Sequence, residues 1–508
     1  MTDNGELPHQ KSSSEDEEDD ELSHKSLSEH HYDPQRWPYL KKYRILFFVA
    51  LPTFLTPLSN VSLYSAILEM KEEFKTTVIY SLLGIFIIFR GIAPIFWSSY
   101  SDQLGTRKKV YLASLLLYTI GNILCGFTKN VLVLIIFRVV QTIGISAALS
   151  LGGGTVGDIF IPAERGKAYA IYLIGYFVAL AIGPFIGVLI AQLLGWRWIF
   201  HILAISGGVT LLSITSFLPE TFRPSGEKLS PKPHQILIIR ESYPRSPSEE
   251  SKTFLPRKRY NPLSPLKLLL QLNVTLSILS KSLAYLIIYT QNTLITRLLS
   301  YYYDVSIVYV VFAYISPPVG YLVGSLFAGI YSDHLVGYER DIEMRKEKEM
   351  RREEKRRKKR DEVTKIMQEI SGSDVIYKFP MMRIKVAFYS SLLVPLFIAA
   401  FGWLAQNRVH IVLPLICSFI AGIGLQGQCN CISTYLIDAY SGKSASALAL
   451  SDFFSFLLVA IITVFTTQLE NFIGTGWTFS VMAIFSILSI IFLIIVLKYD
   501  EKWRGVNT

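Results

Sequence analysis

The chain has 508 residues, of which 51% are hydrophobic and only 18% charged, and its mean hydropathy is +0.37. A soluble protein of this length carries about 25% charged residues, so the composition excludes an ordinary soluble protein and predicts an integral membrane protein. The net charge of +10 does not indicate a nucleic-acid partner, because Arg340–Arg360 alone, with twelve Lys and Arg against six Asp and Glu, supplies +6.

Twelve apolar stretches follow one another along the chain, each close to the roughly 20 residues that a helix needs to cross a hydrocarbon core. Since backbone groups cannot stay unpaired in lipid, each stretch is predicted to be a helix. The predicted fold class is therefore an all-α membrane protein with twelve transmembrane helices. The predicted spans are residues 43–67, 78–100, 110–128, 131–152, 168–193, 199–218, 273–296, 305–330, 384–404, 411–436, 446–468 and 477–497.

Polar segments divide the twelve spans into two bundles of six helices. The first 36 residues are acidic and rich in Ser, which is typical of a disordered tail. The basic run after the eighth span is predicted to form an exposed helix beside anionic lipid. The predicted units are a tail at 1–36, an N-terminal bundle at 37–218, a linker at 219–265, a C-terminal bundle at 266–497 with a charged insert at 334–380, and a second tail at 498–508.

The short links between spans follow the rule that cytoplasmic loops are rich in Lys and Arg. Links after even-numbered spans carry Arg107 and Lys108, then Arg165 and Lys167, whereas the opposite links carry little net positive charge. Both termini, the linker and the insert are therefore predicted to be cytoplasmic. We expect a multi-pass monomer in the plasma membrane, with the prospore and vacuolar membranes as alternatives.

Two short passages of the first half recur in the second half. Trp97-Ser-Ser-Tyr-Ser-Asp102 resembles Gly329-Ile-Tyr-Ser-Asp333, and the passage around Asp158 resembles the passage around Asp438. The two offsets are 231 and 280 residues, and their difference of 49 is about the length of the charged insert. Two pseudo-symmetric halves, one of them with an insert, explain this difference, and such repeats are typical of transporters with a substrate path between the halves.

Three motifs of the first half occur in a fixed order. Ser98-Ser-Tyr-Ser-Asp102-Gln-Leu-Gly105-Thr-Arg107-Lys108 lies between spans two and three, Arg138-Val-Val-Gln141-Thr-Ile-Gly144 lies in span four, and Gly183-Pro184-Phe-Ile-Gly187 lies in span five. Together they resemble the major facilitator superfamily and, within it, the fungal drug:proton antiporter family with twelve spans. Ser150-Leu-Gly-Gly-Gly-Thr-Val-Gly-Asp158 is similar to the quinidine-resistance and dityrosine exporter branch of that family.

The resemblance implies the major facilitator fold, in which two halves rock about a central site, and it implies roles for individual residues. Gly183, Pro184 and Gly187 would form an antiporter motif that is typical of exporters, and Arg138 would take part in proton coupling. A charge relay would hold the halves together on the cytoplasmic side. The predicted members of this gating relay are Asp102, Gly105, Arg107 and Asp158, with Asp333 and Asp438 at the repeated positions.

Four charged residues lie inside predicted spans: Arg90, Arg138, Lys281 and Asp452. A charge at the middle of a bilayer costs about 2.5–3.5 kcal/mol on insertion scales, so each needs a partner or a function. Asp452 is the carboxylate that lies away from the span ends, and its pKa would rise with desolvation and fall beside a cation. We therefore predict that Asp452 carries the proton. The alternative is a static ion pair with a neighbouring cation.

Polar and aromatic side chains within the spans predict a pocket for amphipathic or aromatic compounds. Each of them is also compatible with a role in helix packing. Drugs, polyamines, weak acids or a spore-wall dityrosine precursor are the substrates that the resemblance implies. The predicted substrate-binding residues are Arg90, Gln141, Lys281, Tyr289, Gln291, Gln428 and Asn430.

Signatures of an enzyme or of a cofactor are missing from the sequence. Gly442-Lys443-Ser444 is similar to the end of a phosphate-binding loop, but Ile437 stands where the first Gly of that loop belongs. No His and Cys spacing predicts a metal site, and the four Cys are expected to be free buried thiols. The prediction is proton-coupled export of small organic compounds without a cofactor, with substrate, protons and membrane lipid as partners. A facilitative uptake carrier and a non-transporting receptor that signals through 334–380 are the alternatives.

Overall fold

The computed structural model describes residues 33–223, 264–302, 314–358, 379–440 and 442–503. Throughout these residues the regular structure is helical. The first 32 residues, most of the predicted linker and residues 359–378 of the predicted insert lie outside the described part of the chain. The predictions of a disordered tail and a polar linker therefore concern mostly residues that the structure does not describe.

The described part contains thirteen α-helices. Six belong to the N-terminal half: α1 (Tyr39–Phe74), α2 (Ser81–Leu104), α3 (Lys108–Phe127), α4 (Val131–Ile159), α5 (Pro162–Leu194) and α6 (Arg197–Phe217). Seven belong to the C-terminal half: α7 (Leu272–Tyr302), α8 (Ser316–Lys358), α9 (Phe379–Ser391), α10 (Val394–Gln406), α11 (Val412–Ala439), α12 (Ser444–Ile473) and α13 (Thr475–Trp503). Short 3₁₀ helices lie at Pro34–Arg36, Thr77–Tyr80 and Ser264–Leu270.

Eleven helical segments of the described residues are long and apolar enough to cross a membrane. They coincide with eleven of the twelve predicted spans, with α9 and α10 together forming the ninth. The remaining prediction, at 305–330, begins among residues 303–313, which the structure does not describe, and ends within α8. The all-α membrane fold predicted from the sequence is confirmed.

The helix boundaries follow from residues with special backbone or capping properties. The Asn130 side chain accepts a hydrogen bond from the N–H of Leu132 at 2.8 Å, which caps the start of α4. Gly195 and Gly474, with φ of 89° and 84°, end α5 and α12 at equivalent places in the two halves. A break at residues 392–393 separates α9 from α10. Pro395, the second residue of α10, lacks the N–H that would bond back to α9 and continue the helix.

The two halves have the same internal arrangement and meet along two symmetry-related helix pairs. In the N-terminal half α1 packs on α5, α2 on α4 and α3 on α6, and in the C-terminal half the equivalent pairs are α7 on α12, α8 on α11 and α10 on α13. Between the halves, α2 packs on α12 and α5 packs on α8. Substitution at Gly320 or Gly324 would place a Cβ against the carbonyl oxygen of Phe419 or Ile423, so α8 and α11 are in backbone contact.

Several helices and caps extend past the apolar stretches on which the predicted boundaries were based. Residues 34–36 form a 3₁₀ turn within the predicted disordered tail. Glu220 lies beyond the predicted end of the N-terminal bundle at 218 but is hydrogen-bonded to the start of α3. The predicted insert at 334–380 begins within α8, which continues as one helix to Lys358, and α13 runs past residue 497 to Trp503. The four Cys are free and buried, as predicted.

Candidate functional site

The gating residues of the N-terminal half form a buried charge cluster, here called the first latch (Asp102, Arg107, Asp158). The Arg107 guanidinium donates to Asp102 at 2.5 Å and to Asp158 at 2.9 Å. The second oxygen of Asp102 accepts hydrogen bonds from the N–H of Ser446, at 2.9 Å, and from its hydroxyl, at 2.5 Å. Ser446 lies in the first turn of α12, so the first latch joins the two halves.

The C-terminal half contains an equivalent cluster, here called the second latch (Asp333, Arg383, Asp438). Arg383 donates to Asp333 at 2.6 Å and to Asp438 at 3.1 Å. Asp333 accepts from the N–H groups of Gly166 and Lys167, at 2.8 and 2.6 Å, in the first turns of α5. The second latch therefore also joins the two halves.

In each latch an aspartate binds backbone N–H groups near the start of a helix of the opposite half. Asp102 accepts from Ser446 in the first turn of α12, where N–H groups lack intrahelical partners, and Asp333 accepts from Gly166 and Lys167, the fifth and sixth residues of α5, where the helix dipole favours a negative charge. Arg165, also in the first turn of α5, adds a direct ion pair across the halves to Asp438 at 2.7 Å. We call the end of the molecule that carries both latches the latch face.

The sequence predicted five of the six latch residues and missed Arg383. The available signal was the repeat itself, since the 280-residue offset carries Arg107 to within four residues of Arg383. That signal was weak because no short motif surrounds Arg383. Arg165 was noted only for its positive charge, and its contact with Asp438 depends on tertiary structure.

Glu220 is a further latch-face residue that sequence reasoning did not assign. Its carboxylate accepts from the N–H of Arg107 at 2.8 Å and from the hydroxyl of Thr106 at 2.7 Å, which caps the start of α3. Burial acts to raise the pKa of Glu220, but these hydrogen bonds outweigh burial and hold the pKa below its usual value. The neighbouring Phe222 covers Arg107, with its ring centroid 5.0 Å from the guanidinium, and it packs on Gly105, whose φ is 66°.

Both ends of the described bundle lie at the latch face. The Tyr39 hydroxyl, at the start of α1, donates to Glu164 in the first turn of α5 at 2.6 Å. Near the end of α13, Asp500 is buried and accepts from the Tyr435 hydroxyl at 2.8 Å and from the Asn273 amide at 3.2 Å. Tyr435 lies three residues before Asp438 of the second latch, so the chain enters and leaves the bundle at the same end.

A cavity of about 880 Å³ lies between the two halves. On α5 the cavity wall extends from Tyr169, about two turns into the helix from the latch face, to Val188. On α12 it extends to Thr467. Arg90 is the one charged residue that lines it among the described residues. Tyrosines dominate the polar part of the wall; they are Tyr64, Tyr169, Tyr176, Tyr285, Tyr289, Tyr314 and Tyr321.

The two predicted substrate-binding residues that line the cavity are Arg90 and Tyr289. Pro184 of the predicted antiporter motif also lines it, while Gly183 faces Val61 of α1 and Gly187 is buried in α5. The motif therefore lies where α5 meets both α1 and the cavity.

The other predicted substrate-binding residues lie away from the cavity wall and make contacts within one half. Gln291 donates to Ser418 at 2.7 Å, Gln428 donates to Ser489 at 2.6 Å, and the Asn430 amide donates to the carbonyl of Ser325 at 2.7 Å. Gln141 donates to Asn122 at 2.6 Å and Lys281 binds Asp452. These contacts join helices, so they favour the packing interpretation for these five residues.

Asp452 and Lys281 form a buried ion pair between α12 and α7, with a distance of 3.0 Å between carboxylate oxygen and ammonium nitrogen. Both side chains are at most 4% exposed. The Lys281 ammonium is 5.5 Å from the ring centroid of Tyr285, which lines the cavity. The pair therefore lies one side chain behind the cavity wall, within the C-terminal half.

Arg138 is fully buried in α4, and among the described residues no carboxylate pairs with it. Its guanidinium donates to the side-chain oxygen of Gln141 and, at 3.4 Å, to Asn60, and it lies 4.7 Å from the ring centroid of Phe86. Asn60 lines the cavity, so Arg138 is separated from the cavity by a single side chain.

Residues 49–342 match the sequence profile of the Major Facilitator Superfamily. The chain belongs to this superfamily. The two related halves and the cavity between them are features that the resemblance implied, and the predicted superfamily is confirmed.

Curated relatives extend the match over most of the chain. Citrate exporter 1 of Aspergillus niger is 26% identical over 478 residues, which are 91% of this chain and 87% of that protein. Dityrosine transporter 1 of Saccharomyces cerevisiae is 26% identical over 481 residues, which are 89% of this chain and 78% of that protein. The crystal structure of the human organic anion transporter MFSD10 superposes with a TM-score of 0.60 over 90% of this chain and 100% of that chain at 14% identity, which supports the fold alone.

Proposed function

We propose that the protein is a proton-coupled secondary transporter that exports small organic compounds from the cytoplasm by alternating access. The observation that carries this proposal is the cavity of about 880 Å³ between the halves, with cross-half ion pairs at one face. A central site between two repeats is what a rocking transporter requires. Breaking the latches would let the halves separate at that face and open the site to the side of the membrane on which the latches lie.

The latch face is assigned to the cytoplasm. Basic residues of the links concentrate there, including Arg107, Lys108, Arg165 and Lys167, and cytoplasmic loops are enriched in Lys and Arg. With this orientation the described conformation is closed toward the cytoplasm. Both termini are then cytoplasmic, and the plasma membrane is the expected location.

Proton coupling is assigned to Asp452. Asp452 is buried beside Lys281, at 3.0 Å, and its carboxylate would change its environment if the pair separated in the opposite conformation. A group that changes its environment between two states can load and release a proton. The relatives named as exporters and transporters of citrate and dityrosine support export of an organic compound.

Inverted membrane vesicles test the proposal, because export in the cell becomes uptake into the vesicle. Citrate and dityrosine, the compounds named for two relatives, serve as radiolabelled probes. Vesicles with the full-length protein and an acidic interior should accumulate at least one of them, and a protonophore should abolish the accumulation. Vesicles from the same cells without the protein are the control. Equilibration that does not depend on the pH gradient would instead indicate a facilitative carrier and would contradict proton coupling.

A further inference from the structure

We infer that the substrate of the central cavity is an aromatic monocarboxylate, with its carboxylate on Arg90 and its ring among the wall tyrosines. This inference rests on the proposed function, because it names the substrate class of the proposed transport site.

Most buried cations of the described residues have a carboxylate partner. Arg107, Arg383 and Lys281 each contact an aspartate at 3.0 Å or less. Arg90 is only 4% exposed, yet within the described chain its hydrogen-bond partners are two neutral phenols, Tyr176 at 2.9 Å and Tyr289 at 3.4 Å. A buried guanidinium without an anion is costly, so Arg90 is a site at which an incoming anion gains a large interaction.

The position of Arg90 separates it from Arg138, the other buried arginine without a carboxylate in the described residues. Arg138 lies behind Asn60, whereas Arg90 lines the cavity itself. Two aromatic rings also hold the Arg90 guanidinium in place. The ring centroid of Phe456 is 4.5 Å and that of Tyr176 is 5.3 Å from its guanidinium carbon. The guanidinium presents parallel N–H donors that match the two oxygens of a carboxylate.

The rest of the wall fits a flat apolar body with a polar group. Tyr64 and Tyr176 come from the N-terminal half, and Tyr289 and Tyr321 come from the C-terminal half, so a bound ring would contact both halves. Aromatic side chains bind rings through offset or edge-to-face contacts. Since Arg90 is the one charged lining residue within the described chain, the cavity can neutralise a single negative charge. A tricarboxylate would leave two charges uncompensated in a low-dielectric site.

Equilibrium binding to the purified full-length protein tests this inference without a proton gradient. The probe is tritiated 4-hydroxyphenylacetate, and the competitors are unlabelled 4-hydroxyphenylacetate, its uncharged amide and citrate. We expect the amide and citrate to compete at least tenfold more weakly than the acid, because one charge-assisted interaction is lost or two charges are unpaired. Equal competition by the amide, or by citrate, would overturn the inference.

Variants locate the anion site. Arg90→Gln should lower the affinity for the acid at least tenfold and leave the weak affinity for the amide unchanged, while Lys109→Gln, which removes an exposed charge at the latch face, should change neither. An Arg90→Gln protein that binds the acid as tightly as the wild type would overturn the inference. If that variant misfolds and binds neither ligand, the ratio of the wild-type affinities for the acid and the amide decides whether the inference holds.

The proposed transport function and the proposed anion site can be contradicted independently of each other. Discrimination between acid and amide without gradient-driven uptake would contradict the proposed function and support the anion site. Gradient-driven uptake of citrate or dityrosine, combined with equal binding of acid and amide, would support the function and contradict the anion site.

Discussion

At the scale of single residues, buried charges and their partners are the basis of the proposed mechanism. Asp452 and Lys281 were singled out from the sequence for different roles, proton transfer and substrate binding, and the structure places them in one ion pair. The sequence could identify both because charges are rare in apolar spans. It could not pair them, because they lie 171 residues apart and their contact depends on how α7 packs on α12.

Asp452→Asn is expected to abolish gradient-driven uptake in inverted vesicles while the protein remains in the membrane. The change leaves Lys281 as an unpaired buried cation, and removing one partner of such a pair typically costs about 3–5 kcal/mol. Vesicle uptake and thermal unfolding of the purified variant are the two measurements.

The double variant Asp452→Leu with Lys281→Met separates proton transfer from a static structural role. Replacing both charges by apolar groups should recover most of the stability lost in Asp452→Asn, because no unpaired charge remains. Uptake should nevertheless stay insensitive to the pH gradient. If the double variant transports against a gradient like the wild type, Asp452 is not the proton carrier and the static ion pair is the correct interpretation.

Arg383→Gln is expected to weaken the latch face. The substitution removes the cation shared by Asp333 and Asp438, so the state with the latch face open should gain at least tenfold in population, which corresponds to about 1.4 kcal/mol. Labelling by a membrane-impermeant maleimide from the latch face of inverted vesicles would report this at Ser433→Cys, a buried cavity-lining position. The labelling rate of Ser433→Cys with and without Arg383→Gln is the comparison, and equal rates would contradict the assigned role of Arg383.

At the scale of helices, hydropathy alone predicted most elements and failed where other forces set their ends. The apolar stretches located the spans because lipid requires long apolar helices. The continuation of α8 to Lys358 and of α13 to Trp503 involves polar residues outside those stretches. The break before α10 depends on Pro395, and the run around it stays apolar enough that hydropathy alone does not reveal the break.

Close packing of α8 on α11 gives a prediction for helix stability. Gly324→Ala would bring a methyl group against the carbonyl oxygen of Ile423, and such overpacking typically costs about 1–3 kcal/mol. Gly208→Ala in α6 is the matched control, because no atom lies within 4 Å of its added methyl group and helix propensity favours Ala by about 0.5–1 kcal/mol. Thermal unfolding in detergent should show a lower midpoint for the first variant and not for the second. Equal midpoints would contradict the backbone contact.

The extended α8 gives a second prediction at this scale. Its 43 residues correspond to about 65 Å, roughly twice the thickness of a hydrocarbon core. Replacement of residues 347–376 by a Gly and Ser linker keeps Asp333 and the buried Val336, so vesicle uptake should be retained. Loss of uptake from a variant that still reaches the membrane would contradict this expectation and indicate that residues 347–376 take part in transport.

At the scale of the whole molecule, the internal repeat predicted the arrangement better than any single motif. The offsets of 231 and 280 residues indicated two related halves, and the structure shows matching latches in which an aspartate of each half binds N–H groups near the start of a helix of the other. The composition of the cavity wall was not predictable to the same degree. Five of seven predicted substrate-binding residues face other helices, because periodicity does not tell which side of a fully apolar helix faces the cavity.

Spin–spin distances across the two faces test the central claim, which is that the halves rock about the cavity. One labelled pair joins Lys109 to Lys443 at the latch face, and the other joins Lys129 to His410 at the opposite face; all four are exposed. When the medium is shifted from neutral to acidic pH with 4-hydroxyphenylacetate present, the account predicts that one distance lengthens while the other shortens. Two distances that stay unchanged, or that lengthen together, would contradict alternating access in this protein.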